Sequence, residues 1–326
     1  MFDKAFHTSD LSRYTFLITG GAGFIGSNIV EYLVKYNAGK IKVLDNLSTG
    51  DKKNLEAFSD RIEFIHGSIE DYEICLEACR GVDYVSHQAA LGSVPRSIAF
   101  PLATNSANVS GFLNVITAAK ESGVKRIVYA SSSSVYGDSK SLPKKEEIIG
   151  KPLSPYAVSK YVDELYAEIY ASVYGTEIIG LRYFNIFGPR QNPKGAYAAA
   201  IPLFIDALRN NHSPVIYGDG KQTRDFTFVE NAVQANIKAF FTSQDNYFGQ
   251  VFNIAYGGRT SVLDMFDILK RLTGASAQPE FKSERKGDVR DSLADISKAK
   301  TILNYEPTID FEEGLRITLD WFDQKH

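Results

Sequence analysis

Between an apolar run at residues 14–18 and a segment at 24–36 with apolar side chains at helical spacing lies Thr19-Gly20-Gly21-Ala22-Gly23-Phe24-Ile25-Gly26. A strand entering a helix through such a turn leaves few folds open. One glycine permits the tight turn, one lets a pyrophosphate lie against bare main chain, and one lets helix pack on strand. The free N–H groups at the start of the helix then face the phosphates. The spacing is Gly-x-x-Gly-x-x-Gly rather than the usual Gly-x-Gly-x-x-Gly, so the turn needs support from the next strand. That strand, 40–44, ends in Asp45, nineteen residues after Gly26. A carboxylate there accepts the adenosine ribose hydroxyls and repels a 2′-phosphate, which favours NAD over NADP.

The rest of the N-terminal half repeats the alternation. Apolar strands are expected at 61–65, 83–87 and 126–130, with a long helix at 106–122 ending before Gly123. With no hairpin signal, this predicts an α/β fold: a Rossmann-type doubly wound parallel sheet with a smaller C-terminal substrate-binding lobe. Past residue 183 the pattern loosens into Pro- and Gly-rich loops with short helices, broken by strands at 214–217 and 250–255. The organisation expected is an N-terminal extension at 1–13, an NAD-binding domain at 14–183 with returning segments near 220–260, and a mainly substrate-binding lobe at 184–326.

Charge and cysteine usage narrow the function classes. A net charge of −3 over 326 residues, with scattered Lys and Arg, gives no basic field for nucleic acid. Cys75 and Cys79 share one face of an expected helix at 71–80, where packing is a better reading than a metal site or a disulfide. Two thiols suit a reducing cytosol. Residues 1–13 carry five charged or titratable side chains and no apolar core, unlike a signal peptide, and no stretch has the length of a membrane span. The expectation is a cytoplasmic protein with no membrane partner and no metal, its first residues either an arm across the domain or a disordered tail.

Ligand-facing residues follow at the carboxyl edge of the sheet. Asn46, Ser48, Thr49 and Gly50 flank the adenosine ribose; Ser68 and Ile69 follow the next strand, where adenine would sit. Gln88, Ala89 and Ala90 are small or polar residues beside a ligand, while His87 reads as a hydrogen-bonded structural residue. The 126–130 strand runs into Ser131-Ser132-Ser133-Ser134-Val135-Tyr136-Gly137. Tyr156 and Lys160, four apart on a helix, point together. A phenol with a pKa near ~10 is a poor base at neutral pH, but a neighbouring ammonium and a nicotinium charge both favour phenolate. The lysine can also hold the nicotinamide ribose.

These motifs resemble the extended short-chain dehydrogenase/reductase family. Within it the chain looks like the nucleotide-sugar 4-epimerases, particularly the bacterial UDP-N-acetylglucosamine 4-epimerase group. The resemblance rests on residues 19–26, Asp45-Asn46-Leu47, the run 88–97, 131–137, 156–160, Leu181-Arg182-Tyr183-Phe184-Asn185, 195–202 and 218–226. It implies that Ser132 shares the sugar O4 proton with Tyr156 while Ser133 and Ser134 line the sugar. Asn185, Arg224 and Arg285 would hold the UDP phosphates and Asp288 a uridine ribose hydroxyl. On the same footing Asn108 and Tyr183 join the cofactor site. Ala199, Ala200, Ile201, Tyr217 and Asn253 join the substrate site. Ser292 stands where a Tyr in this family leaves no room for a 2-N-acetyl group; Gly92, Ser93 and Gln191 are further contacts to that group. One departure is Ser68, where relatives often carry Asp, which implies a changed adenine contact.

The reaction so implied is removal of the O4 proton by Tyr156 as hydride leaves C4, rotation of the 4-keto sugar about its anchored diphosphate, and return of hydride to the other face. Inversion at C4 of UDP-N-acetylglucosamine is the expected activity. A UDP-N-acetylhexosaminuronic acid or UDP-glucuronate 4-epimerase is the runner-up. The 4,6-dehydratases need an acid and base where Ser133 and Ser134 stand, and the UDP-glucuronate decarboxylases usually place a Glu in this run. An NAD-binding sensor without turnover is the non-enzymatic alternative. Family members usually dimerise through a four-helix bundle. The helices expected here are 103–120 and 156–173, with Phe112, Tyr161, Leu165 and Ile169 on their outer faces.

Overall fold

A computed structural model describes residues 1–193, 199–243, 247–283 and 290–325. Its first half alternates strand and helix: β1 (Thr15–Thr19), α1 (Phe24–Lys35), β2 (Lys40–Asp45), β3 (Glu63–His66), α2 (Tyr72–Cys79) and β4 (Tyr84–His87). Then come α3 (Val94–Ala99), α4 (Pro101–Asn105), α5 (Gly111–Glu121), β5 (Arg126–Ser132), α6 (Pro155–Tyr174) and β6 (Ile178–Tyr183). After β7 (Ile186–Phe187) follow α7 (Ala200–Arg209), β8 (Val215–Tyr217), β9 (Thr223–Arg224), β10 (Thr227–Phe228), α8 (Val229–Phe241) and β11 (Val251–Ile254). The chain closes with β12 (Thr260–Ser261), α9 (Val262–Thr273), β13 (Glu280–Lys282), α10 (Ser297–Leu303) and α11 (Phe311–Lys325).

The central sheet has seven parallel strands in the order β11-β6-β5-β4-β1-β2-β3. Near-continuous apolar strands such as Phe16-Leu17-Ile18 and Ile178-Ile179 are buried because helices cover both faces. Strand order reverses between β1 and β4, which opens a crevice at their carboxyl ends, where open α/β sheets hold ligands. A second core, around Phe187, Phe204, Ile205, Phe228, Met265, Phe266 and Leu269, lies under the C-terminal helices.

Three expectations need correction. The helix expected at 106–122 begins earlier and is not uniform: α4 runs into a π-helical turn, Ser106–Ser110, before α5. The later helices are not short; α7, α8, α9 and α11 span 10, 13, 12 and 15 residues. Polar residues interrupt their apolar ones, and in α8 Glu230, Asn231, Gln234 and Asn236 are themselves buried, a pattern easily read as loop. Phe112 faces inward, fully buried against Tyr129 and His87, so it belongs to no outer face of α5.

The N-terminal residues form an arm. Phe2 is fully buried; its N–H donates to Glu230 Oε2 at 2.9 Å and its carbonyl accepts from Tyr36 Oη. Phe6 stacks on Tyr32, and His7 shares a hydrogen bond with the Tyr32 hydroxyl. Cys75 and Cys79 are free and buried, each thiol pushed up to about 12 mainly by burial. Among the described residues no helix is long and apolar enough to cross a membrane.

Candidate active site

The crevice beyond β1 and β4 is a cavity of about 550 Å³. Its lining includes Gly20, Gly23, Phe24, Ile25, Asp45 and Asn46, then Ser48, Thr49, Gly50, Ser68 and Ile69, with Gln88, Ala89 and Ala90 on the β4 side. Gly20 has φ +67°, and a Cβ there would stand 2.6 Å from the Ala89 nitrogen, so only glycine lets the two backbones meet. Asp45 is anchored: Oδ2 accepts from the Ala22 N–H at 3.0 Å and Oδ1 from the Leu47 N–H at 2.8 Å. Each oxygen keeps a lone pair for a ribose hydroxyl. A bare main-chain turn and a carboxylic residue at the end of β2 fit a dinucleotide without a 2′-phosphate.

Ser68 is tied to Glu70: its hydroxyl donates to Glu70 Oε2 at 3.3 Å and accepts from the Glu70 N–H. Ser106 holds the other carboxylate oxygen. Glu70 also lines the cavity, so a carboxylate is present near the adenine end although position 68 lacks one. Sequence reasoning missed it; the signal was an acid two residues further on. Asn236 was missed too. It accepts from Gln88 Nε2 and donates to the Tyr183 hydroxyl, which in turn donates to Gln88 Oε1 at 3.2 Å. Tyr183 is thereby held beneath the cavity, its hydroxyl pushed up to about 12 chiefly by burial.

At the end of β5 the chain turns through Ser133–Tyr136. Ser132 Oγ accepts from both the Ser134 N–H and the Ser134 hydroxyl, at 3.2 and 2.9 Å. With both lone pairs engaged, Ser132 is left as a donor. Tyr156 lies in the first turn of α6, the helix that packs on the Ser133–Tyr136 turn, and is partly exposed. Pro155 starts the helix with its φ preset, and the Ser154 hydroxyl caps the Ala157 N–H. The π-helical turn aims Asn108 across the gap. Its Oδ1 accepts from the Leu91 N–H at 2.8 Å and its Nδ2 donates to Ser159 Oγ at 3.0 Å, tying α6 to the rim of the cavity. Lys160, 2 % exposed, pairs with Asp163 at 3.1 Å.

A second cavity of about 200 Å³ is lined by Asn185, Gln191, Ala199, Ala200, Ile201, Tyr217 and Arg224 among others. Gln191 and Ala199 line both cavities, so the two adjoin. Gly92 and Ser93 sit on the rim of the first. Ser292 donates its N–H to the Thr223 carbonyl, next to Arg224. Asn253 is a correction: fully buried, it accepts from the Tyr136 hydroxyl and donates to the Lys144 and Asp295 carbonyls, leaving nothing for a ligand. The chain near Tyr136, Lys144 and Asp295 folds against β11 and takes up the amide. Arg285, Asp288 and part of the 195–202 motif lie outside the described residues.

A dinucleotide cradle at the switch point, a donor serine at a strand end and a Tyr and Lys one helical turn apart define a nicotinamide-nucleotide enzyme acting at a carbon that bears a hydroxyl. The chain belongs to the NAD dependent epimerase/dehydratase family, which it matches over residues 16–255, and its cofactor is NAD. It is similar to the UDP-N-acetylglucosamine 4-epimerase of Methanobrevibacter ruminantium, solved with UDP-N-acetylmuramic acid, at 39% identity and TM-score 0.91 over 96% of this chain and 99% of that one. The UDP-glucose 4-epimerase of Mycolicibacterium smegmatis is 35% identical over 95% of this chain and 98% of its own length. The UDP-glucuronic acid 4-epimerase of Bacillus cereus, solved with UDP-glucuronic acid and NAD, is 31% identical with TM-score 0.88, over 96% of this chain and 100% of that one.

Proposed function

We propose that the protein inverts C4 of a UDP-hexose, and that its substrate is UDP-N-acetylglucosamine, converted to UDP-N-acetylgalactosamine through a transient 4-keto sugar. The observation that carries this reading is the donor-only Ser132 at the end of β5, beside the α6 turn that carries Tyr156. Bound NAD supplies a reversible hydride acceptor. Tyr156 takes and returns the O4 proton, Ser132 donates a hydrogen bond to the same oxygen, and the Lys160 ammonium favours phenolate. Asn185 and Arg224, in the second cavity, hold the diphosphate so that only the hexose turns.

The N-acetyl preference rests on two features. Ser292 is small beside the Arg224 strand, and Gln191 Oε1 is buried with no partner among the described residues, at the junction of the cavities. An acceptor there suits an amide N–H. A uronic acid remains the second substrate class, favoured by the likeness to the Bacillus cereus enzyme. We also read the exposed apolar side chains of α6, Leu165 and Ile169 with the half-buried Tyr161, as half of a two-copy helical interface.

The test is incubation with UDP-N-acetylglucosamine, UDP-glucose and UDP-N-acetylglucosaminuronic acid in turn, with the epimers separated chromatographically. Fastest turnover of the neutral N-acetylated sugar without added NAD is expected. Turnover of the uronic acid alone overturns the substrate. Tyr156→Phe is expected to lower kcat by roughly 10²–10⁴-fold while NAD stays bound, the span of a lost general base; an unchanged rate would sink the proposed base.

A further inference from the structure

Beneath the first turn of α6 lies a buried polar cluster that the reaction as described does not use. Lys160 Nζ donates to Asp163 Oδ2 at 3.1 Å, and the two side chains are 2 % and 0 % exposed. Asp163 Oδ1 has no partner among the described residues, nor do Tyr129 Oη and His87 Nε2 nearby. A buried carboxylate that meets one ammonium and leaves an oxygen unsatisfied is a poor structural fastening, since desolvation offsets what the pair gains.

We infer that Asp163 is a positioning residue for the reaction: it holds the Lys160 ammonium at the foot of α6 and offsets its charge, so that it limits how strongly Lys160 favours the phenolate of Tyr156. The inference rests on the roles given to Tyr156 and Lys160 above. An ammonium has three protons, and Asp163 occupies one, leaving two for a ribose hydroxyl and the field at Tyr156. The pair spans i to i+3 on the helix that carries Tyr156 at i−4, so the three groups keep one spatial order.

Other titratable groups pack near the pair. On α6, Glu164 is matched by Arg182 of β6 through two hydrogen bonds at 2.9 and 2.8 Å. Tyr129 of β5 is pushed well above the usual tyrosine range by burial and the Glu164 and Asp163 charges. His87 of β4 is pushed down to about 3, first by burial and then by the Lys160 charge. Phe112 of α5 contributes an apolar wall. Asp163 itself is pushed up to about 7 by burial, against the pull of Lys160.

The experiment compares the holoenzyme with Asp163→Asn, which keeps the shape and removes the charge. Tyrosinate absorbance is titrated in both proteins, with Tyr156→Phe as the reference that assigns the step, and kcat and KM are followed against pH. With the counter-charge gone, the Tyr156 step and the acid limb of kcat are expected to move to lower pH by ~1 unit, from the Coulomb energy of a partly screened charge about two helical turns, roughly 10 Å, away. KM for the UDP-sugar is expected to stay within twofold. A step that stays in place or moves to higher pH overturns the inference, as does a kcat loss with an unmoved profile, which is what a merely structural pair gives. If Asp163→Asn is too unstable to titrate, Asp163→Ser takes the same measurement, because its smaller side chain relieves rather than crowds the site. A shifted tyrosinate step in a protein that turns over no UDP-sugar leaves this inference standing and sinks the substrate reading instead.

Discussion

His87 carries a stability consequence at the scale of one residue. It ends β4 with 1 % exposure, its Nδ1 bound to the Thr19 hydroxyl at 2.8 Å and its Nε2 unpartnered among the described residues. Burial holds the ring neutral, its pKa lowered to about 3 from 6.5. Because the unfolded chain takes up a proton that the native ring refuses, the stabilisation is complete above the free-chain value and is lost as pH falls below it. Stability is therefore expected to decline below about pH 6.5 by up to ~1.4 kcal/mol per unit for this one proton. Urea midpoints across that range check it: His87→Gln should flatten the acid slope by about one proton. An unaltered slope means that the ring protonates in the native state.

At the scale of elements, α6 is the part on which the proposed chemistry depends, and its start is set locally. Pro155 and the Ser154 cap fix its first turn, which holds Tyr156, and Gly175 ends it with φ +66°. Ser154→Ala removes the hydrogen bond to the Ala157 N–H and is expected to cost about 1 kcal/mol in the urea midpoint. Fraying of the same turn should lower kcat several-fold and leave KM nearly constant. Equal loss in both would mean that the cap supports binding rather than the position of Tyr156. The π-helical turn at Ser106–Ser110 is the complementary device, because its extra residue per turn swings Asn108 inward to bridge Leu91 and Ser159. Such a turn has no composition signal. Its apolar spacing departs from that of an α-helix by a single residue, so 106–122 reads as one helix.

For the whole molecule, the N-terminal arm is an attachment between cores. Phe2 packs edge-on to Tyr32 of α1 and bonds to Glu230 of α8, while Met1 touches both the sheet-side core and the C-terminal core. Phe2→Ala is expected to lower stability by about 3 kcal/mol, at the low end for a buried phenylalanine because a terminal segment collapses readily. Equilibrium urea unfolding measures it. Since the arm lines neither cavity, kcat at low temperature should not change, and a parallel loss of kcat would tie the arm to the site.

The first β-turn-α unit and its nucleotide preference were legible in the residues. Gly20 and Asp45 act through local backbone geometry and a fixed separation along one βαβ unit, and such rules survive without tertiary detail. That Tyr156 and Lys160 share one helix was legible because helical period sets their spacing. Asp163 stood in the same helix and went unread, since its meaning depends on a burial that β4, β5 and α5 impose from far along the chain. Asn253 misled for the converse reason: only the fold brings Tyr136, Lys144 and Asp295 together to consume its amide. Whether residues 1–13 formed an arm, which face Phe112 took, and that Glu70 supplies the carboxylate missing at Ser68 were likewise decided by the fold. Each depends on which distant surface is adjacent, and sequence spacing carries no information about that.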